Sequence, residues 1–164
     1  MNKAYLLTGG NLGNRSHNLT VARDLIEQYC GNIIKHSAIY KTAAWGFETQ
    51  PDFYNQALII ETELNPSALM QKLLAIEEQM GRKRNIKMGP RLIDIDILLY
   101  NHDIADEPDL TIPHPRMHER MFVLIPLAEI APDIIHPVFR KTIMQLQQEC
   151  PDVLNVYKIE ADKV

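Results

Sequence analysis

The chain has 164 residues, of which 46% are hydrophobic and 23% charged, and its formal net charge is −4. That length suits one domain (1–164) with a sizeable core, the composition is globular rather than disordered, and the acidic balance argues against a general nucleic-acid binder, whose domain is usually basic. The longest apolar runs, such as 57–60 and 122–128, are far short of a membrane span, and Met1-Asn2-Lys3 leads into a strand-like stretch rather than a signal peptide, so a cytoplasmic protein is expected.

In chain order, Lys3 to Thr8 reads as a short strand that ends in the turn sequence Gly9-Gly10-Asn11-Leu12-Gly13-Asn14. A helix follows with Leu19, Ala22, Ile26 and Tyr29 on one face and Gly31 as its stop. Ile33 to Tyr40 reads as one strand and Phe53 to Leu64 as a longer one, joined by a loop that carries Trp45, Gly46 and Pro51. Asn65-Pro66 supplies an N-cap and a proline at the first helical position, and Leu69, Leu73, Ile76 and Met80 mark the buried stripe up to Gly81. The apolar run 92–99 reads as another strand. This order, strand-helix-strand-strand-helix-strand, predicts a ferredoxin-like α+β core, βαββαβ, with an antiparallel sheet and helices on one face. The remaining third is rich in proline and is expected to form loops and short helices, chiefly Arg120 to Ile130 and Thr142 to Glu149.

Within the run GPRLIDIDILLY two carboxylates stand two residues apart. In a strand, Asp94 and Asp96 share one face, with Cα atoms roughly 6.6 Å apart, while Ile93, Ile95 and Ile97 take the other. Like charges so placed repel unless a cation lies between them, so the pair is either a metal site or a strand face turned to water. Just before it, GRKRNIKMGPR holds Arg82, Lys83, Arg84, Lys87 and Arg91 with no acidic residue. Alone this is a solvated basic loop; next to the Asp pair it suits phosphates bound through Mg²⁺, a ligand that needs both signs of charge in one place.

The other candidates are weaker on spacing alone. GGNLGNR is neither a Walker A loop nor a GxGxxG fingerprint, and its glycines read as turn residues, with Asn11 able to offer its amide to a site at the strand end. His114 is held between Pro113 and Pro115 and is either a surface residue or a fixed donor to a phosphate oxygen, with Arg120 as a second anion contact. Trp45, Phe53, Asn55 and Phe122 form either a flat slot for a planar heterocycle or part of the core. Cys30 and Cys150 lack CxxC spacing, which argues against a zinc site or a disulfide framework.

Taken together, GGNLGNR, YKTAAWG, QPDFYNQA, IEEQMGRKRNIKMGPRLIDIDILLY and IPHPRMHERMFVLIPLAEIAP resemble, in order, the 6-hydroxymethyl-7,8-dihydropterin pyrophosphokinases of folate biosynthesis. The resemblance implies a monomeric, soluble ferredoxin-like enzyme that transfers pyrophosphate from ATP to the hydroxymethyl oxygen of the pterin and releases AMP; the charge balance and the short apolar runs predict no nucleic-acid or membrane partner. It implies that Asp94 and Asp96 hold two Mg²⁺ ions, that Arg82, Arg84 and Arg91 contact the ATP phosphates, and that His114 and Arg120 complete a nucleotide clamp lined by Glu77, Ile97 and Thr111. Thr42, Trp45, Phe53, Asn55 and Phe122 would form the pterin slot, with Asn11 close by. The chain departs from the family pattern at Met88, where Trp is frequent, at Phe53 for Tyr, at Ala43 and Ala44 for a Pro pair, at Asp109 for a basic residue, and in a basic loop one residue shorter. These departures bear on affinity and leave the metal pair intact. Two other classes compete: a catalytically silent nucleotide-binding module, which has little reason to keep both aspartates, and a ferredoxin-like RNA-binding module, which needs sheet aromatics in a basic field.

Overall fold

The computed structural model describes residues 1–43, 51–81 and 92–159. Its elements in chain order are β1 (Asn2–Gly10), α1 (Arg15–Tyr29), β2 (Asn32–His36), β3 (Ile39–Thr42), β4 (Phe53–Thr62), α2 (Pro66–Gln79) and β5 (Asp94–Tyr100), then β6 (Ala105–Glu107), β7 (Leu110–Ile112), α3 (Met121–Ile130), α4 (Ile143–Glu149) and β8 (Val156–Ile159). The fold is a mixed α/β one built on an antiparallel sheet in the order β5-β1-β4-β3-β8, with β2 also paired to β4. β6 and β7 form a separate hairpin.

The helices start where the sequence places caps. Asn14 accepts the His17 N–H at 3.1 Å to open α1, and Asn65 accepts the Ala68 N–H at 2.8 Å to open α2, with Pro66 at its first position. Leu19, Ala22 and Ile26 of α1 are buried as their spacing predicts, but Tyr29 is 44% exposed; Cys30, one residue on, closes that stripe instead. α1 and α2 cover one face of the sheet, over Ala4, Leu6, Leu58 and Ile60. The opposite face, with Tyr5, Leu7, Ala57 and Ile59, is covered by α3 and α4. Helices therefore lie on both faces rather than one, because the proline-rich third folds back over the sheet.

The single strand expected from Ile33 to Tyr40 is two. At the break, the Ser37 hydroxyl accepts the Ala57 N–H at 2.9 Å in place of a ladder carbonyl, and the Ala38 N–H turns away to the Glu129 carboxylate of α3 at 3.1 Å. β5 is irregular too. Tyr5 pairs with Leu99 and Leu6 with Ile97, so Leu98 is an extra residue, a β-bulge. Ile93, Ile95 and Ile97 pack under α1 and α2, while Leu98 and Leu99 both serve the α3 layer. The carbonyl of Leu98 accepts the His114 N–H at 2.9 Å, which ties the segment after β7 to the strand.

His136 is buried at the turn before α4, where its Nδ1 accepts the N–H groups of Val138 and Phe139, each at 3.2 Å. The ring is therefore neutral, with its proton on Nε2, and burial followed by the nearby His118 pushes its pKa from 6.5 down to about 4. The unfolded chain takes up a proton near 6.5 that the folded chain refuses until about 4. The stability from neutral His136 is thus complete above about 6.5 and is lost as pH falls through the folded value. His136→Asn keeps an acceptor and does not titrate, so its unfolding free energy in urea should fall less between pH 6.5 and pH 4 than that of the wild type. Equal slopes would refute the neutral-histidine account.

Candidate active site

One end of the sheet face under α3 is left without a helical cover. Across it runs a row of paired residues: Asp94 opposite Gly9, and Gly9 opposite Asn55, with Asp96 opposite Leu7 one step further in. Directly opposed residues share a face, so the alternation that buries Ile93, Ile95 and Ile97 turns both aspartates to this side. A Cβ on Gly9 would lie 2.1 Å from Asn55 Oδ1, so it is the missing side chain that lets the Asn55 amide cross the strand. Asn55 Nδ2 donates to Thr42 Oγ1 at 3.4 Å, and Phe53 is paired with Thr42 on the next strand. The result is a cleft of about 820 Å³, within the range of small-molecule sites.

The turn after β1 acts on the cleft from behind. Asn11 does not line it; it is buried, and its Nδ2 donates to the Pro51 carbonyl at 3.1 Å. Arg15 donates to the Asp52 carbonyl at 2.8 Å and lies 4.0 Å from the Tyr54 ring centroid. Asn11 and Arg15 thus fix the backbone that enters β4 at Phe53, while Gly9 and Gly10, expected in the turn, are the last residues of β1, opposite Asn55 and Tyr54.

The charged side of the cleft is built from three directions. Asp94 and Asp96 are half-buried on β5. Between them, the Ile95 N–H points outward from the edge strand and donates to Glu77 Oε2 of α2 at 2.7 Å, in a buried setting. From the segment after β7 come His114 and Arg120, and Ile97 and Thr111 also line this part. His114 Nδ1 accepts the Arg116 N–H at 3.2 Å, so the ring proton sits on Nε2. Burial first, then the Arg120 guanidinium, push the His114 pKa from 6.5 down to about 4, against the opposing pull of Asp94. Burial also lowers Arg120, with Arg116 adding to it, while Asp96, Glu119 and Asp94 oppose the shift. His114 is consequently a neutral donor beside a permanent cation.

Of the residues expected from sequence, Asp94, Asp96, Glu77, Ile97, Thr111, His114, Arg120, Thr42, Phe53, Asn55 and Phe122 all line this one cleft. Trp45, Arg82, Arg84 and Arg91 lie outside the described residues. The cleft also holds residues that sequence reasoning passed over: Met70 and Leu74 on α2, Arg116 and Glu119 in the PHPRMHER segment, and Asp152 and Leu154 near the C-terminal strand. Arg116 and Glu119 stand at i,i+3 and pair at 3.4 Å, a spacing that was available in the sequence. Asp152 and Leu154 carried no local signal.

Residues 5–132 match the family model described as 7,8-dihydro-6-hydroxymethylpterin-pyrophosphokinase. The chain is 40% identical over 149 residues to the 2-amino-4-hydroxy-6-hydroxymethyldihydropteridine pyrophosphokinase of Aquifex aeolicus, covering 91% of this chain and 92% of that one. It is 43% identical over 134 residues to the protein of the same name from Bacillus subtilis, covering 81% and 80%. Among solved structures, Plasmodium falciparum HPPK-DHPS with pterin and p-hydroxybenzoate aligns at a TM-score of 0.76 and 21% identity over 90% of this chain, a likeness of fold. The chain spans 43% of the length of that structure.

The Glu77–Ile95 bond gives a direct test of how the Asp-bearing strand is held. Glu77→Ala should cost about 1–3 kcal/mol in urea unfolding, the usual range for leaving a buried donor unsatisfied, and Glu77→Gln, which keeps an acceptor, should cost less. An alanine variant no less stable than the glutamine variant would show that the bond contributes nothing.

Proposed function

The chain belongs to the 7,8-dihydro-6-hydroxymethylpterin-pyrophosphokinase family, and we propose that it transfers the pyrophosphoryl group of ATP to the hydroxymethyl group of 6-hydroxymethyl-7,8-dihydropterin in folate biosynthesis. The observation that carries this reading is the two-sided cleft. Carboxylates, a neutral imidazole and a guanidinium stand on one side, and an amide, a hydroxyl and two aromatic rings on the other.

In the reaction the hydroxymethyl oxygen forms a bond to the β-phosphorus while the bond from that phosphorus to the bridging α,β oxygen breaks; AMP leaves with that oxygen and a proton is released. Such a transfer asks the protein chiefly for alignment and charge neutralisation. Arg120 supplies a fixed positive charge to the phosphates. His114 supplies an Nε2–H donor that stays neutral near pH 7, so it holds an oxygen without adding a second cation beside Arg120. Asp94 and Asp96 fit Mg²⁺, which takes one or two carboxylates together with substrate phosphates and water, and two half-buried carboxylates on one strand face make that donor set. When bound there, Mg²⁺ ions offset the negative charge of the phosphoryl oxygens. Arg82, Arg84 and Arg91 are assigned to the same phosphates by the family pattern.

Glu77, Ile97 and Thr111 line the nucleotide side. On the other side the Asn55 amide, oriented by Thr42 and the gap at Gly9, is suited to pair with the polar edge of a pterin, and Phe53 and Phe122 offer ring faces to it. Trp45 belongs to this slot by the family pattern, and Asn11 supports it through Pro51. We read the β5-β1-β4 sheet, with β2 and β3 sharing the far edge of β4, as a ferredoxin-like core, and the whole of 1–164 as one domain acting as a cytoplasmic monomer. No helix among the described residues is long and apolar enough to cross a membrane.

Incubation with Mg-ATP and 6-hydroxymethyl-7,8-dihydropterin, followed by chromatography of the nucleotides, should yield AMP that depends on both pterin and metal. Asp94→Asn and Asp96→Asn should each lower kcat/KM by about 10²-fold or more while leaving the circular dichroism spectrum unchanged. ADP in place of AMP would mean transfer of the γ-phosphoryl group. ATP binding without turnover would leave a silent nucleotide-binding module, and near wild-type activity in both variants would remove the metal role.

A further inference from the structure

Three of the four α-helices among the described residues are capped by a neighbour in sequence: Asn14 opens α1, Asn65 opens α2, and Thr142 with Gln145 forms a capping box on α4. α3 is not. The residue at its N-cap, Arg120, is extended (φ −131°, ψ 112°) and makes no side-chain bond to the helix. The first helical N–H, that of Met121, instead donates at 2.9 Å to Oδ2 of Asp152, 31 residues further along the chain. The other oxygen of the same carboxylate accepts the Leu154 N–H at 2.9 Å. One side chain therefore joins the start of α3 to the C-terminal segment, at the helix end where unpaired N–H groups and the positive end of the dipole favour a carboxylate.

The joint sits inside the cleft. Met121 lies between Arg120 and Phe122, which both line it, and the Arg120 guanidinium lies 5.7 Å from the Phe122 ring centroid. Asp152 and Leu154 line the same cleft. Two residues beyond Leu154, Val156 pairs with Thr42, the hydroxyl that orients Asn55. The segment 151–159 thus runs from the base of the proposed phosphate and pterin contacts to β3, whose Thr42 hydroxyl accepts from the pterin-side amide. It also lies beyond residues 5–132, the part that the family model matches.

We propose that Asp152 is a positioning residue for pyrophosphoryl transfer: by capping α3 from the C-terminal segment, it fixes Arg120 and Phe122 at their places across the cleft. The proposal rests on the pyrophosphokinase reading of the cleft. Misplacement of contacts by about 1 Å can cost up to about 10²-fold in rate.

The test is steady-state kinetics with both substrates, together with pterin binding by fluorescence and the folded fraction at the assay temperature. Asp152→Ala should raise the KM for pterin and for ATP, and the pterin Kd, by about fivefold, with the protein still folded. Met121→Pro removes the donor instead of the acceptor. Proline is well accommodated at the first helical position, and Arg120 already has the extended backbone that precedes a proline. It should raise the same constants, and the double variant should be no worse than either single one. If Asp152→Ala fails to fold, Met121→Pro decides alone. Unchanged KM and Kd values with kcat reduced only in proportion to the folded fraction, or additive losses in the double variant, would overturn the positioning role. A wild-type protein that makes no pterin-dependent AMP would instead overturn the pyrophosphokinase reading, and this proposal with it.

Discussion

The register of β5 on β1 is the constraint from which the cleft follows. With Gly9 opposite Asp94 and Leu7 opposite Asp96, the two carboxylates turn toward the open end of the sheet and three isoleucines turn into the layer beneath α1 and α2. A slip of one residue would exchange these sets, burying two carboxylates and exposing three isoleucines. The register is held from both sides. The apolar side holds it through burial of Ile93, Ile95 and Ile97, and the outer edge holds it through the Glu77 bond to the Ile95 N–H. Glu77 also blunts an edge strand that would otherwise present that donor to another chain.

The bulge at Leu98 then changes what the rest of the strand can do. Past it, Leu98 and Leu99 both pack toward α3, and the Leu98 carbonyl is free to take the His114 N–H. The strand that bears the aspartates thereby also sets the position of the imidazole facing them. His114 spends its Nδ1 on the Arg116 N–H, which leaves Nε2 as its donor, and burial beside Arg120 keeps it neutral. A charged imidazole would have to share a confined space with Arg116 and Arg120. The arrangement therefore sets a charged guanidinium beside a neutral hydrogen-bond donor.

Much of the site is held by side chains bonded to distant backbone. Asn11 and Arg15 hold Pro51 and Asp52, Glu129 takes the Ala38 N–H and the Tyr40 hydroxyl, and Asp152 takes the Met121 N–H. Apart from the Tyr40 hydroxyl, each partner is a backbone group that no regular ladder or helix reaches, and each bond to it fixes the start of an element that contributes a residue to the cleft. The absence of a side chain matters equally at Gly9, since any Cβ there would strike the Asn55 amide.

The amino-acid sequence by itself determined the features that depend on periodicity and on near neighbours. These are the buried stripes of α1 and α2, the caps at Asn14 and Asn65, the common face of Asp94 and Asp96, and, through motif resemblance, the membership of most of the cleft. Such signals lie within a few residues of the group they govern. The tertiary structure alone decided the break at Ser37, the bulge at Leu98, the exposure of Tyr29, the covering of the second sheet face, the fifth position taken by β8 in the strand order, and the cap that Asp152 gives to α3. In most of these the deciding partner is a backbone group, or a packing surface, tens of residues away. Every residue but proline offers the same N–H and C=O to such a partner, so the choice among them is made only when the chain has folded.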